Sequence, residues 1–120
     1  MKITYGNILE AKPALESLAQ KELEMSEAIA LARLIRTLST ELEVFFEKQQ
    51  KMCEKYGRVD ENSGIFTPFE EKKELFAKEH KELLETEFDA DIAVVKIHSN
   101  IVIEAATILL TEKFISWENN

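Results

Sequence analysis

One cysteine, two prolines, three glycines and one tryptophan in 120 residues narrow the field of candidate proteins before any motif is sought. The lone Cys53 cannot close a disulfide within the chain, so a disulfide-stapled scaffold is excluded and the cytosol is the expected compartment. So few Gly and Pro, with 45% hydrophobic residues, exclude a disordered or low-complexity chain and favour ordered helices in a single domain over residues 1–120. No apolar run approaches the ~20 residues that span a bilayer, so no membrane association is expected. The opening Met1-Lys2-Ile3-Thr4-Tyr5 lacks the apolar core of a signal peptide. There is no Gly-rich phosphate loop, no serine nucleophile elbow, and no metalloprotease or deaminase signature. The expectation is therefore a protein that is not an enzyme, with no catalytic residues, no metal ligands and no cofactor.

Positive charge is also scarce. Lys and Arg number 15 against 23 Asp and Glu, a net charge of −8. Residues 1–57 hold nine acidic and eight basic side chains, whereas residues 58–120 hold fourteen and seven. A surface of this sign repels phosphates, so direct nucleic-acid binding is not expected.

What the chain does have is a long apolar seam. Ala28, Leu31, Ile35, Leu38, Leu42, Phe45, Gln49, Met52 and Tyr56 recur at steps of three and four, which predicts one helix over residues 26–56, roughly 45 Å long. The phase fails at Lys21 and Glu24, so a break is expected near Met25–Ser26, with Ser26 as the cap. Before it, Asn7 and Glu10 read as a capping box, and Pro13 as an interruption of a short helix. Gly57 is placed to end the long helix in the left-handed conformation, ahead of an exposed turn over residues 60–64. Thr67-Pro68-Phe69-Glu70 reads as the start of a second helix over residues 68–86, antiparallel to the first. Spanning only ~28 Å, that helix leaves part of the seam for residues 1–20, the C-terminal helix or another subunit. Gln49 on the seam either sets register in an oligomer or marks the wet end of the hairpin.

The period then changes to two. Phe88, Ala90 and Ile92 alternate with Glu87, Asp89 and Asp91, the pattern of a half-buried strand. Further strand is expected over residues 94–97 and 101–103, and a helix from Ala105 to Trp117. The fold class that follows is α+β and mostly helical: a long helix in an antiparallel helical hairpin, a small β-sheet at one end built from residues near 65–67 and 87–103, and a C-terminal helix.

Six charged residues are the candidate partner-binding set: Glu85, Glu87, Asp89, Asp91, Arg33 and Arg36. On one strand the four carboxylates would share a face, suited to a basic partner surface or a divalent cation; a solvated strand edge is the plainer alternative. Arg33 and Arg36 flank the seam and are expected to pair with the acidic second helix. His80 falls beside the apolar face and reads as a hydrogen-bonded histidine at the core's edge, His98 as a turn residue, and Cys53 as a buried, inert thiol.

The order of these features resembles a family of small uncharacterised proteins of phages and prophages, chiefly of Gram-positive bacteria. The resemblance is carried by Ala11-Lys12-Pro13-Ala14-Leu15, by Leu31 to Leu38, by Phe46-Glu47-Lys48-Gln49-Gln50 closing on Tyr56-Gly57, by Phe76 with Glu82-Leu83-Leu84, and by Glu87-Phe88-Asp89-Ala90-Asp91-Ile92. It covers nearly the whole chain and departs from the family pattern at His98-Ser99-Asn100, where an acidic Asp-Leu turn is usual. It implies a phage or prophage context and no chemistry. The expected function is a non-enzymatic phage protein working by protein–protein contact, in virion assembly or an accessory role, with a protein partner or a second copy of the chain. The alternatives are an acidic host-directed inhibitor that mimics nucleic acid, and a small divalent-metal-dependent enzyme using the carboxylate row.

Overall fold

The computed structural model describes residues 1–118. Its axis is α2 (Met25–Tyr56), a single helix of 32 residues and so about 48 Å long, in a body whose extents are 56 × 31 × 23 Å. The chain enters through β1 (Lys2–Thr4) and α1 (Tyr5–Leu18). Thr4 caps α1: its Oγ1 accepts from the Asn7 N–H at 3.1 Å, and the Asn7 side chain accepts from the Thr4 N–H at 2.9 Å. The capping box therefore sits one turn earlier than Asn7–Glu10. Pro13 lies inside α1 and does not end it. Residues 19–24 turn the chain into α2, and Glu24, not Ser26, is the residue that precedes its first turn.

The core lies where α1 meets the first two-thirds of α2. Ile8, Ala11, Leu15 and Leu18 of α1 face Leu31, Leu34, Leu38, Leu42 and Phe45 of α2, all buried. The buried line is rotated slightly from the seam expected. Leu34 is buried while Ile35 is only half-buried, and Ala28 is exposed while Glu27 is buried. Both line choices fit a spacing of three and four, so periodicity alone cannot choose between adjacent apolar residues.

α2 ends at Gly57, which is extended (φ −173°) and not left-handed. Close approach is what demands glycine here. A Cβ on Gly57 would meet the Thr67 carbonyl oxygen at 2.4 Å and the Phe66 ring at 2.5 Å. The chain continues as a hairpin of β2 (Gly57–Val59) and β3 (Phe66–Pro68), antiparallel in the register Gly57↔Pro68 and Val59↔Phe66. Its turn matches the expected exposed segment. Asp60 Oδ1 accepts from the Asn62 N–H at 2.8 Å, and Gly64 supplies the positive φ of 72°.

Thr67 and Pro68 are thus strand residues, not a helix start. A 3-10 turn over Glu70–Lys72 leads into α3 (Lys73–Glu85), about 20 Å long. α3 packs on the C-terminal third of α2, and none of its residues is fully buried.

The expected single sheet is absent from the described residues, which instead hold three separate two-stranded pairs. β4 (Glu87–Asp89) pairs antiparallel with β1, setting Ile3 opposite Phe88. β5 (Val95–Ile97) pairs in parallel with β6 (Ile115–Trp117). A parallel pair needs a crossover, and residues 98–114 supply it through α4 (Ala105–Thr111). The final helix therefore stops at Thr111 and not at Trp117. Ile115 and Trp117 follow a period of two and bond to β5, with the Glu118 N–H donating to the Ile97 carbonyl at 2.8 Å. Ile101-Val102-Ile103 keeps a strand's alternation, Val102 outward and its neighbours half-buried, but pairs with no strand among the described residues.

Candidate functional site

The most elaborate polar arrangement joins the start of α2 to the loop after β5. Glu27 sits at the third position of α2 and is 3% exposed. Its carboxylate accepts from the His98 N–H at 2.6 Å, the Ser99 N–H at 3.3 Å and the Glu24 N–H at 3.2 Å, and from the Ser99 hydroxyl. Burial pushes its pKa up, but the hydrogen bonds from Ser99, His98 and Glu24 outweigh that and hold it below the usual carboxylate value. The His98 ring lies between two carboxylates, Nδ1 3.1 Å from Glu27 and Nε2 2.9 Å from Glu24.

Glu24, Glu27 and His98 are also the residues whose ligand atoms lie close enough together, within 4.8 Å, to surround a metal ion. The donor chemistry argues for a clasp. The Glu27 oxygens already accept four hydrogen bonds, so a metal would have to displace donors from a buried carboxylate. The arrangement pins the β5–α4 loop to the helix, helped by the favourable placement of a carboxylate at a helix N-terminus. Sequence reading missed it because the clasp joins residues about 70 positions apart; the local signal was a Glu in the first helical turn.

The four carboxylates expected to form a row do not form one. Glu85 ends α3, Glu87 and Asp89 lie in β4, and Asp91 lies in the irregular segment before β5. All four are exposed. The chain leaves the period of two at both ends of β4, which is only three residues long, so the shared face is lost. Asp89 lies 3.9 Å from the Met1 amino group. Among the described residues, Glu85, Glu87 and Asp91 have no ion-pair partner.

Arg33 and Arg36 do not pair with the acidic second helix. α3 lies alongside the far part of α2, where Gln49 Nε2 is 3.0 Å from His80 Nε2 and the Tyr56 hydroxyl donates to Glu79. Among the described residues, neither guanidinium lies within 4.0 Å of a carboxylate. Arg33 instead lines a groove of about 240 Å³ between α2 and residues 91–95. Asp91 lines the same groove, so the fold does bring two of the six candidate residues to one place.

The remaining candidates take quiet roles. His80 stacks on Phe76 with ring centroids 5.6 Å apart and planes 13° apart, and Gln49 serves the intrachain hairpin through it. Cys53 is half-buried, with its thiol pKa raised by burial and by Glu54, the opposite of an activated nucleophile. A cavity of about 550 Å³ lies beside Ile97, His98, Ile103, Ile108 and Trp117. Among the described residues, buried Trp117 Nε1 has no hydrogen-bond partner. No described helix is long and apolar enough to cross a membrane. Comparison with protein-family models, with curated proteins and with solved structures finds no match for this chain.

Proposed function

We propose that this protein acts through protein–protein contact, without chemistry of its own, as a phage or prophage protein in virion assembly or an accessory role. The phage setting rests on the sequence resemblance. The contact reading rests on one observation, the amount of uncovered surface. The accessible area is 8348 Å², against about 6,600 Å² for a compact monomer of 13.8 kDa. The radius of gyration is 17.4 Å, against about 14 Å for a compact domain of 120 residues. Large apolar side chains stand on that surface, Met25 at 78%, Val102 at 89% and Leu109 at 68% exposed. Affinity capture of the tagged chain from infected cells, followed by mass spectrometry, is expected to retrieve a virion or assembly component. Absence from every such complex overturns the reading.

A second reading, the acidic host-directed inhibitor, is favoured by the exposed carboxylates Glu85, Glu87 and Asp91 that have no ion-pair partner among the described residues. It requires salt-sensitive binding to a basic host protein, lost in an E87Q/D89N/D91N variant. Binding that survives this triple change counts against it.

A further inference from the structure

The loop pinned by Glu27 is also a cavity wall. His98 to Ile101 and Ile103 line the cavity of about 550 Å³, and Ile97 of β5, Ile108 of α4 and Trp117 of β6 supply much of the rest. The loop is attached unevenly. At its β5 end the Glu27 carboxylate accepts from the His98 N–H at 2.6 Å, from the Ser99 N–H at 3.3 Å and from the Ser99 hydroxyl, and His98 Nε2 lies 2.9 Å from Glu24. Beyond that point, Asn100 to Ile103 make no backbone hydrogen bond among the described residues. Ile101 and Ile103 are half-buried against the core, and Val102 faces water. A segment with few buried apolar contacts and no backbone bonds opens at low cost, so the polar clasp at its start governs whether the wall stays in place. The clasp's other half is fixed: Glu27 lies one turn before Leu31, which is fully buried.

We propose that residues 98–104 form a lid over this cavity, latched by Glu27, which opens while the helical core stays folded. The lid follows from the clasp and the cavity and does not depend on the protein-contact reading. Two features favour local opening over opening of the whole body. The latch is polar and confined to Glu24, Glu27, His98 and Ser99, so releasing it leaves the α1–α2 core contacts untouched. Trp117 Nε1 is buried and, among the described residues, lacks a hydrogen-bond partner. Opening therefore breaks no bond at that donor and lets water satisfy it.

The test uses Trp117, the one tryptophan of the chain, as a reporter in the cavity wall. Glu27→Gln keeps the side chain's shape but turns one accepting oxygen into an N–H donor that faces the loop's own donors. Acrylamide quenching of Trp117 fluorescence is expected to rise roughly twofold in this variant, with the far-UV circular dichroism and the hydrogen exchange of Leu31 to Phe45 unchanged. Ser99→Ala removes the hydroxyl donor alone and is expected to give a smaller rise in the same direction, again with the core unchanged. Quenching that stays at the wild-type value in both variants overturns the proposal. So does a rise that comes only with lost helical signal or with faster exchange from Leu31 to Phe45, since the clasp would then hold the whole fold and not a lid.

Discussion

The two ends of α2 are held in different ways. From Leu31 to Phe45 the helix is enclosed by α1 and β5, and Leu31, Leu34, Leu38, Leu42 and Phe45 are each at most 4% exposed. Beyond Phe45 it packs against α3 and the β2–β3 hairpin. Gln49, Met52 and Cys53 are half-buried there, and Tyr56 is the buried side chain. The first region is held by apolar burial, the second by a few polar and aromatic contacts: Gln49 with His80, Tyr56 with Glu79, and Phe76 against Phe66 at 4.8 Å. A continuous helix does not imply continuous stability. Local opening free energy follows buried apolar contact, so the far third of α2 and α3 should open before the core does.

Substitutions can sharpen or break this contrast. The largest effect is expected at Leu38, fully buried in the enclosed region. Leu38→Ala should cost about 3–4 kcal/mol in urea-induced unfolding, from lost burial and a residual cavity. Glu27→Ala should cost about 2–3 kcal/mol, because the His98 and Ser99 donors are left unpaired in a buried site. Gly57→Ala should cost about 2 kcal/mol by forcing β2 away from β3. Phe76→Ala, in the half-buried α3, should cost about 1–2 kcal/mol and leave the core region's hydrogen-exchange protection unchanged. Equal costs at Leu38 and Phe76 would break the contrast.

Acid sharpens it further. The folded-state pKa of Glu27 lies below its ordinary value of 4.5. The stabilisation it gives is therefore fully present above that value and is lost as pH falls through the lower folded pKa. Thermal unfolding of the wild type should weaken below about pH 4.5, and Glu27→Gln should show a flatter acid limb. An acid limb identical in the two proteins would show that Glu27 is not the group titrating.

Much of the helical framework is legible in the sequence. The seam predicts a helix over residues 26–56, and α2 runs over Met25–Tyr56. Steps of three and four sustained over that length match the pitch of a helix and neither the period of a strand nor the irregularity of a loop. The acidic turn after Gly57 and the half-buried His80 are legible from local chemistry. The strand pairs are not. Each strand is three residues long, and two of the pairs join remote parts of the chain, Lys2–Thr4 with Glu87–Asp89 and Val95–Ile97 with Ile115–Trp117. No local pattern carries such a pairing. Thr67-Pro68 misleads because a capping-box spacing also suits an edge strand that ends in proline. Of the candidate site, Arg33 and Asp91 come to one groove, but their shared place depends on how residues 90–95 cross α2, which no spacing encodes. Glu27 escapes notice because a glutamate in a first helical turn ordinarily faces water.

Hydrogen exchange read by mass spectrometry along α2 tests the central claim most directly. Amides from Leu31 to Phe45 should exchange only through global unfolding, and those from Gln49 to Tyr56 should exchange earlier, together with α3 over Lys73–Glu85. Uniform protection from Leu31 to Tyr56, or earlier exchange in the α1-facing region, would contradict the account.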